Sequence, residues 1–561
     1  MAVATPATVA MALALVVAMG VATAAARQMA YWAAWRRRQS LPPAPAPRGG
    51  TPPLVGFSHL RLSLSEAESA DALAGAGDAG VVTTSLGPFP VVCALSAAAV
   101  RRVLALDGTG TTGWWFPPRW SGAFGTVSLF LTGGPAHAAD HATATRCLSG
   151  AATDALVPSL ELRVEVLLDE WCAAGVACSA YPKCKMTALL LLTEGLFGRV
   201  VDQRTCAKIA RMYDDVNGFF TSLVPFDLPG TALRTAARAR QQVATLVEEE
   251  VAKLVAKRVA GTLTPSEQAC ILNTLISSWP MEADSGGPSA VPRKLLDNAL
   301  TFLFHGADCL SSAMLAATRY VCEHETVRQE MKVELQDAGV EGGRRLDGPT
   351  LRRLPILHSV VMETLRLYPP IPLMHRVVTA PGARLRGYDL EPGQLLSYAI
   401  RTPHLDRGTW GVTAHDFCPA RHWPMGGGPS TATPHIESPA GGGRQEPTAG
   451  GAEITPLWVP FGGGARHCPG ADLATVALYV YLARLVQDHT LEIEGGVRMM
   501  RMPPHVRPDF DLRVRRSIPV SLHMHGGGGK ASACDPLSTH VTRAPSYGLS
   551  TPTSIYSDRM L

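Results

Sequence analysis

The chain has 561 residues, 46% of them hydrophobic and 17% charged, enough apolar material for a large buried core and too much for a disordered polymer. Its 51 Lys and Arg against 47 Asp and Glu leave a net charge of +4, and no basic stripe with interleaved aromatics occurs, so no nucleic-acid partner is expected. The twelve cysteines are scattered singly, the usage of reduced thiols facing a cytosolic compartment rather than of a disulfide framework.

Residues Ala7 to Ala26 are uncharged and rich in Ala, Val, Leu and Met. At about 1.5 Å per residue the run can cross a hydrocarbon layer of about 30 Å. Arg27, then Tyr31, Trp32 and Trp35, then Arg36-Arg37-Arg38 follow it. Interfacial aromatics with a basic flank mark residues 1–35 as a single-pass membrane anchor whose following domain stays cytosolic, with the endoplasmic reticulum as the expected membrane. A plastid transit peptide is the main rival, because no acidic residue precedes Glu66. A cleaved secretory signal is a third reading.

Residues 36–50 form a basic, proline-rich linker, and one large domain is expected over residues 51–523. Val81-Val82-Thr83-Thr84 and Val91-Val92-Cys93, around Gly87-Pro88-Phe89-Pro90, predict a β-hairpin. From there to about residue 375 the spacing is mainly helical, and short strands return between Tyr388 and Ala399. The fold class is therefore mainly α with a smaller β region. A Gly, Pro, Ser and Thr-rich insertion at 425–452 and the tail 524–561 are expected to be disordered.

Phe461-Gly462-Gly463-Gly464-Ala465-Arg466-His467-Cys468-Pro469-Gly470 precedes an apolar helical run from Ala471 to Val486. The glycines allow a tight bend and close approach to a flat ligand, and Pro469 suits a first helical turn. Cys468 then sits at a helix N-terminus, where the dipole and free N–H groups favour an anion. A buried structural cysteine or a haem-sensing Cys-Pro dipeptide is the competing reading of the loop alone.

The decapeptide matches F-x-x-G-x-R-x-C-x-G at every defined position, and by it the chain resembles the cytochrome P-450 superfamily. The resemblance spans roughly residues 50 to 522 without the insertion. It implies haem b (iron protoporphyrin IX) with Cys468 as the metal ligand and Arg466 on a propionate. Phe461 would shield the sulfur, Gly464 is the first signature glycine, and Gly470 would let the helix approach the porphyrin. Glu363 and Arg366, three apart on one helical face, resemble the family's E-x-x-R, and Arg421 in Phe417–Trp423 resembles the arginine that completes that triad. By themselves Glu363 and Arg366 read as a surface pair; their order relative to Cys468 favours the triad.

Leu295 to Ala317 is a long apolar helix interrupted by His305-Gly306-Ala307-Asp308-Cys309. Its length admits a second membrane span. By resemblance it is the helix over the distal haem face, with Gly306, Asp308 and Cys309 as the catalytic group. Cys309 stands where the family has threonine, and a thiol is the weaker hydrogen-bond donor. His137 and Arg146 match propionate-binding positions, while Asp140 between them does not; His137 and His141 also read as solvated helix residues. Arg376 matches another propionate-binding arginine.

Phe219–Thr231 with Ala237-Arg238-Ala239-Arg240 resembles the roof of the retinoic-acid and plant hormone and sterol hydroxylases. That branch implies a monooxygenase taking an isoprenoid (sterol, retinoid-like or terpenoid) substrate, with NADPH electrons delivered by a flavoprotein reductase. Trp114-Trp115-Phe116 and Trp120 line an apolar lid, or they merely pack the fold or touch the membrane lipid. Two other functions stay open: a haem-thiolate isomerase or dehydratase of hydroperoxides needing no redox partner, motivated by Cys309, and a non-catalytic haem or lipid-binding protein.

Overall fold

The β-branched runs at 81–84 and 91–92 suit a pleated, half-buried surface, and they pair as the expected antiparallel hairpin of β1 (Val81–Leu86) and β2 (Phe89–Ala94). The computed structural model describes residues 66–516 apart from 87–88, 117–120, 200, 202, 217–226, 280–290, 341–344, 423–455 and 503–504. The anchor, the linker, the 425–452 insertion, the tail, Trp120 and most of the Phe219–Thr231 motif lie outside the described residues. β3 (Thr112–Trp114), β4 (Leu373–Val378) and β5 (Leu395–Ala399) extend the hairpin into a sheet of order β1-β2-β5-β4-β3. β2 and β5 run parallel, and the other neighbours are antiparallel.

β3 and β4 fall in the stretch read as helical. A three-residue strand has no period to read, and β4 buries Leu373, Arg376 and Val378, which do not alternate strictly.

Helices make up most of the rest: α1 (Ala97–Leu106), α2 (Gly134–Cys147), α3 (Val157–Ala173), α4 (Ala180–Phe197), α5 (Ala232–Ala260), α6 (Arg293–Glu323), α7 (Pro355–Leu367) and α8 (Ala471–Gln487). Their ends carry local signals. The Ser96 hydroxyl caps α1 by accepting from Ala99 N–H, and Thr231 caps α5 by accepting from Arg234 N–H. α5 ends on Gly261 at φ 69°, the left-handed conformation that suits glycine.

α6 runs 31 residues without a break, so the polar group at 305–309 interrupts its composition and not its backbone. Its most apolar window is 72% buried inside the protein, which makes it a core helix rather than a second membrane span. Gly306 explains how α4 packs so near: a Cβ there would lie 3.0 Å from Leu192 Cδ1. After α8, β6 (His489–Met502) and β7 (His505–Arg516) form a long hairpin that the sequence reading missed. The period-two burial of Phe510, Leu512 and Val514 was its available signal.

The lower half of the fold is organised on α7. Glu363 and Arg366 are both fully buried, and Arg366 donates through Nε and Nη2 to the two carboxylate oxygens at 2.7 and 2.8 Å. Arg366 Nη1 also donates to the carbonyls of His404 and Ala414, at 2.6 and 2.7 Å. Glu363 further accepts from Arg421 Nε, from His422 Nε2 and from Cys418 N–H, so the triad is present and one histidine larger than foreseen. Burial pushes the Glu363 carboxyl up, but the Arg366 bonds, His422, the Arg366 charge and Cys418 N–H outweigh it and hold the group at about 2.

Removing one partner of a buried ion pair strands the other charge. Glu363→Gln is therefore expected to destabilise the protein by about 3–5 kcal/mol in urea unfolding. The folded pKa lies below the ordinary 4.5, so the pair's stabilisation is complete above pH 4.5 and fades as pH falls toward 2. The wild type should lose more stability over that acid range than Glu363→Gln. Equal acid sensitivity in the two proteins would contradict the assignment.

Candidate active site

The loop before α8 closes on itself. Cys468 N–H donates to Phe461 O at 3.0 Å, His467 N–H to Gly464 O at 3.2 Å, and Gly462 N–H to Val459 O at 2.9 Å. Gly462 and Gly464 sit at φ 70° and 65°. A Cβ at Gly463 would meet Leu104 Cδ1 at 2.9 Å, and one at Gly464 would meet Asp107 Oδ2 at 3.0 Å. The middle and last glycines thus serve the approach to α1 and its C-terminal turn, and only Gly462 of the three lines the cavity described next. α8 begins at Ala471 with Gly470 as its N-cap, so Pro469 lies just ahead of the helix and not in its first turn. Burial pushes the Cys468 thiol up to about 11, and the Gly470 N–H bond to the sulfur offsets only part of that. A coordinated metal cation would hold this sulfur as the thiolate.

The sulfur opens on a cavity with Phe461 and Gly470 on the α8 side and His305, Gly306, Cys309 and Ala313 of α6 opposite. A third wall holds His137 and His141 of α2, with Arg466 and Trp114. Arg466 donates to the carbonyls of Leu129 and Thr132 at 3.3 and 2.6 Å, and its guanidinium lies 5.1 Å from the Trp114 ring. Among the described residues no carboxylate pairs with it. Burial, and then the nearby Arg376, bring its pKa down to about 10. Burial and the charges of Arg466, His141 and Arg376 lower His137 to about 3, so that ring is neutral. His141 donates from Nε2 to His467 O at 2.6 Å, which ties α2 to the cysteine loop. This corner carries excess positive charge that an anionic ligand would relieve.

The cytochrome P450 family model matches residues 80–508. The chain belongs to that family. Human cytochrome P450 26C1 is 26% identical over 456 residues, covering 77% of this chain and 81% of that protein. Chicken (Gallus gallus) cytochrome P450 26A1 is 25% identical, covering 64% and 67%. A solved structure of a retinoic acid-bound cyanobacterial P450, CYP120A1, superposes with a TM-score of 0.67 at 21% identity, over 85% of this chain and 100% of that one. The chain is accordingly a P450 monooxygenase, and the family implies a haem-thiolate cofactor.

The residues present fit a P450 haem. Cys468 offers the sulfur, and a Cβ at Gly470 would stand 4.0 Å from it on the cavity wall. Arg466, without an acid of its own among the described residues, suits a carboxylate at the positive corner.

Three residues matched to the cofactor by resemblance lie off the cavity wall. Arg376 donates through Nε and Nη2 to Asp107 at 2.7 and 2.8 Å and through Nη1 to His375 O, and is fully buried. Arg146 is exposed and bonds Thr143 Oγ1. Gly464 faces Asp107 and Leu104. The anomalous Asp140 pairs with Lys294 Nζ at 2.5 Å, a bond that fastens α2 to the start of α6. On the distal face Gly306 and Cys309 line the cavity, whereas Asp308 is half-buried beside it and its carbonyl accepts from Ser311 and Ser312 hydroxyls.

His305, Phe130 and His467 also line the cavity and were not singled out from sequence as site residues. His305 sits one turn before Cys309 on the same helical face, a spacing of four that was visible.

Proposed function

We propose that this P450 is a membrane-tethered monooxygenase that hydroxylates a lipophilic isoprenoid (sterol, retinoid-like or terpenoid) with electrons from a flavoprotein NADPH reductase. The observation that carries the reading is the cavity itself: above Cys468 it is walled mainly by Phe130, Leu192, Leu196, Ile371, Met374 and Ala313, with few polar groups. Such a lining favours a large apolar substrate. The retinoic acid bound in the cyanobacterial structural neighbour belongs to the same chemical class.

Haem held by Cys468 would supply the oxygen chemistry, with thiolate donation favouring O–O cleavage. The chain's own part is binding, orientation and proton supply. Arg466 and the neutral His137 would hold the charged edge of the cofactor. The apolar walls exclude water and orient the substrate in the cavity. Asp308 and Cys309 carry protons at the α6 side. A thiol at position 309 donates more weakly than a hydroxyl, so transfer there is slower than with threonine.

The second reading, a hydroperoxide isomerase or dehydratase that needs no electrons, rests on Cys309 alone. Purified protein, with and without NADPH and reductase, would be incubated with retinoic acid, sterols, diterpenes and fatty-acid hydroperoxides. Hydroxylated isoprenoid formed only with NADPH is expected, and Cys309→Thr should raise product per NADPH consumed, on the order of twofold or more. Hydroperoxide conversion without NADPH would overturn the proposal, and tight isoprenoid binding with no turnover would favour a non-catalytic role.

We further propose that residues 1–35 tether the catalytic domain to the cytosolic face of the endoplasmic reticulum. The uncharged run Ala7 to Ala26 with its aromatic and arginine flank supports this. In fractionated cells the protein should pellet with reticulum membranes, stay exposed to added protease, and become soluble when 1–35 is deleted. Recovery in plastids with the leader removed would refute it.

A further inference from the structure

The segment Ser121–Thr132 has one four-residue turn of helix, Ser121–Phe124, and otherwise no regular structure, yet it carries Phe130 into the aromatic wall of the cavity. Phe130 is the hub of that wall. Its ring lies 4.5 Å from Phe116 and from Phe124, 5.4 Å from Trp114, and 5.0 Å from His305 of α6. The segment's own hydrogen bonds are short-range turns, Gly125 N–H to Ser121 O and Leu131 and Thr132 N–H to Ser128 O, so outside bonds must set its place against the helices.

Those bonds come from three elements. Asp297 on α6 accepts from Val127 N–H at 3.3 Å, and Asn298 Oδ1 accepts from Leu129 N–H at 2.7 Å. Thr301 Oγ1 lies 3.4 Å from Phe124 O. Arg466, from the cysteine loop, donates to Leu129 O and Thr132 O. The third element is α5, whose Arg240 donates through Nε to Ala123 O at 3.0 Å and through Nη2 to Asp297 Oδ1 at 2.6 Å. The ion pair is 15% and 2% exposed, so water screens it little. Gly125 records how tightly the clamp closes: it sits at φ +80°, and a Cβ there would fall 1.9 Å from the Asp297 carboxyl carbon.

We propose that Arg240 and Asp297 are positioning residues for substrate: their ion pair locks Ser121–Thr132 between α5 and α6 and so fixes Phe130 in the cavity wall beside His305. Neither side chain lines the cavity. They act through the segment they hold, and the same pair joins α5 to α6. The inference rests on the haem-thiolate assignment but is independent of the isoprenoid reading, because it concerns any ligand wide enough to touch Phe130.

The test uses the haem-loaded full chain and two iron-binding azoles followed by the Soret shift: imidazole, too small to reach the wall, and the bulky clotrimazole. Arg240→Ala and Asp297→Asn should each weaken clotrimazole roughly tenfold, the scale of a loss of about 1.4 kcal/mol, and leave imidazole affinity unchanged. The double variant should lose little more than either single one, since both remove the same link. Arg240→Lys should restore most of the clotrimazole affinity. Amide exchange at Val127 and Leu129 should quicken in the weakened variants and stay slow in Arg240→Lys. Equal weakening of both azoles would assign the pair a general structural role and overturn the proposal, as would unchanged clotrimazole binding. Should Asp297→Asn fail to retain haem, Arg240→Ala alone decides, because it leaves the buried carboxylate its bond from Val127.

Discussion

A carboxylate and a guanidinium with no exposure to water hold this structure in register. Glu363 and Arg366 would each cost several kcal/mol to bury alone, and their attraction offsets that cost only if every remaining donor and acceptor is used. Here they are: Glu363 takes bonds from Arg366, Arg421, His422 and Cys418, and Arg366 reaches the carbonyls of His404, Ala414 and Asp416. The consequence reaches the active site through one histidine. His404 Nδ1 donates to Arg366 O at 3.1 Å, and its Nε2 accepts from Val459 N–H at 2.9 Å. Burial holds its pKa down near 3, so the neutral ring keeps both roles over the whole physiological range. Val459 O in turn accepts from Gly462, two bonds from the loop that closes Phe461 on Cys468. A buried charge on α7 therefore fixes where the sulfur stands.

The site built on that frame separates its charge from its oil. The positive corner of Arg466, with the neutral His137 ring beside it, lies to one side, and apolar residues of α4, α6 and β4 line the rest of the cavity. A cofactor with a charged edge and a flat apolar body satisfies both halves. The second arginine at this end, Arg376, is committed to Asp107 and to the Trp114 ring 4.6 Å away, so it shapes the corner's field without facing the cavity. It is also part of what lowers Arg466. The departures at Cys309 on α6 and at Asp140 on α2 have different weights. Asp140 forms a helix-to-helix ion pair with Lys294, while Cys309 stands on the cavity wall.

What the sequence disclosed follows contiguity. The Phe461–Gly470 decapeptide and the Glu363–Arg366 pair were legible because their chemistry lies within one turn or one loop. The β1–β2 hairpin was legible from its β-branched runs, and α6 from its apolar length. The partners made by folding were not. Arg376 and Asp107 are 269 residues apart, Arg240 and Asp297 are 57 apart, and His404 joins elements 38 residues before it and 55 after. Nothing local marks such pairs. The family position of Arg376 likewise carried no sign of Asp107, whose carboxylate takes its fork. The triple glycine misled for a similar reason: its close neighbour is Leu104 on α1, invisible to a reading of the loop alone.

The central claim is that Cys468, held by this frame, is the thiolate ligand of the haem iron. Its most direct test is the absorption spectrum of the reduced carbon monoxide complex of the haem-loaded protein. The account predicts the strongly red-shifted Soret band that thiolate ligation gives, and its loss in Cys468→Ser. A band at the unshifted position in the wild type, or a red-shifted band that survives Cys468→Ser, would contradict it.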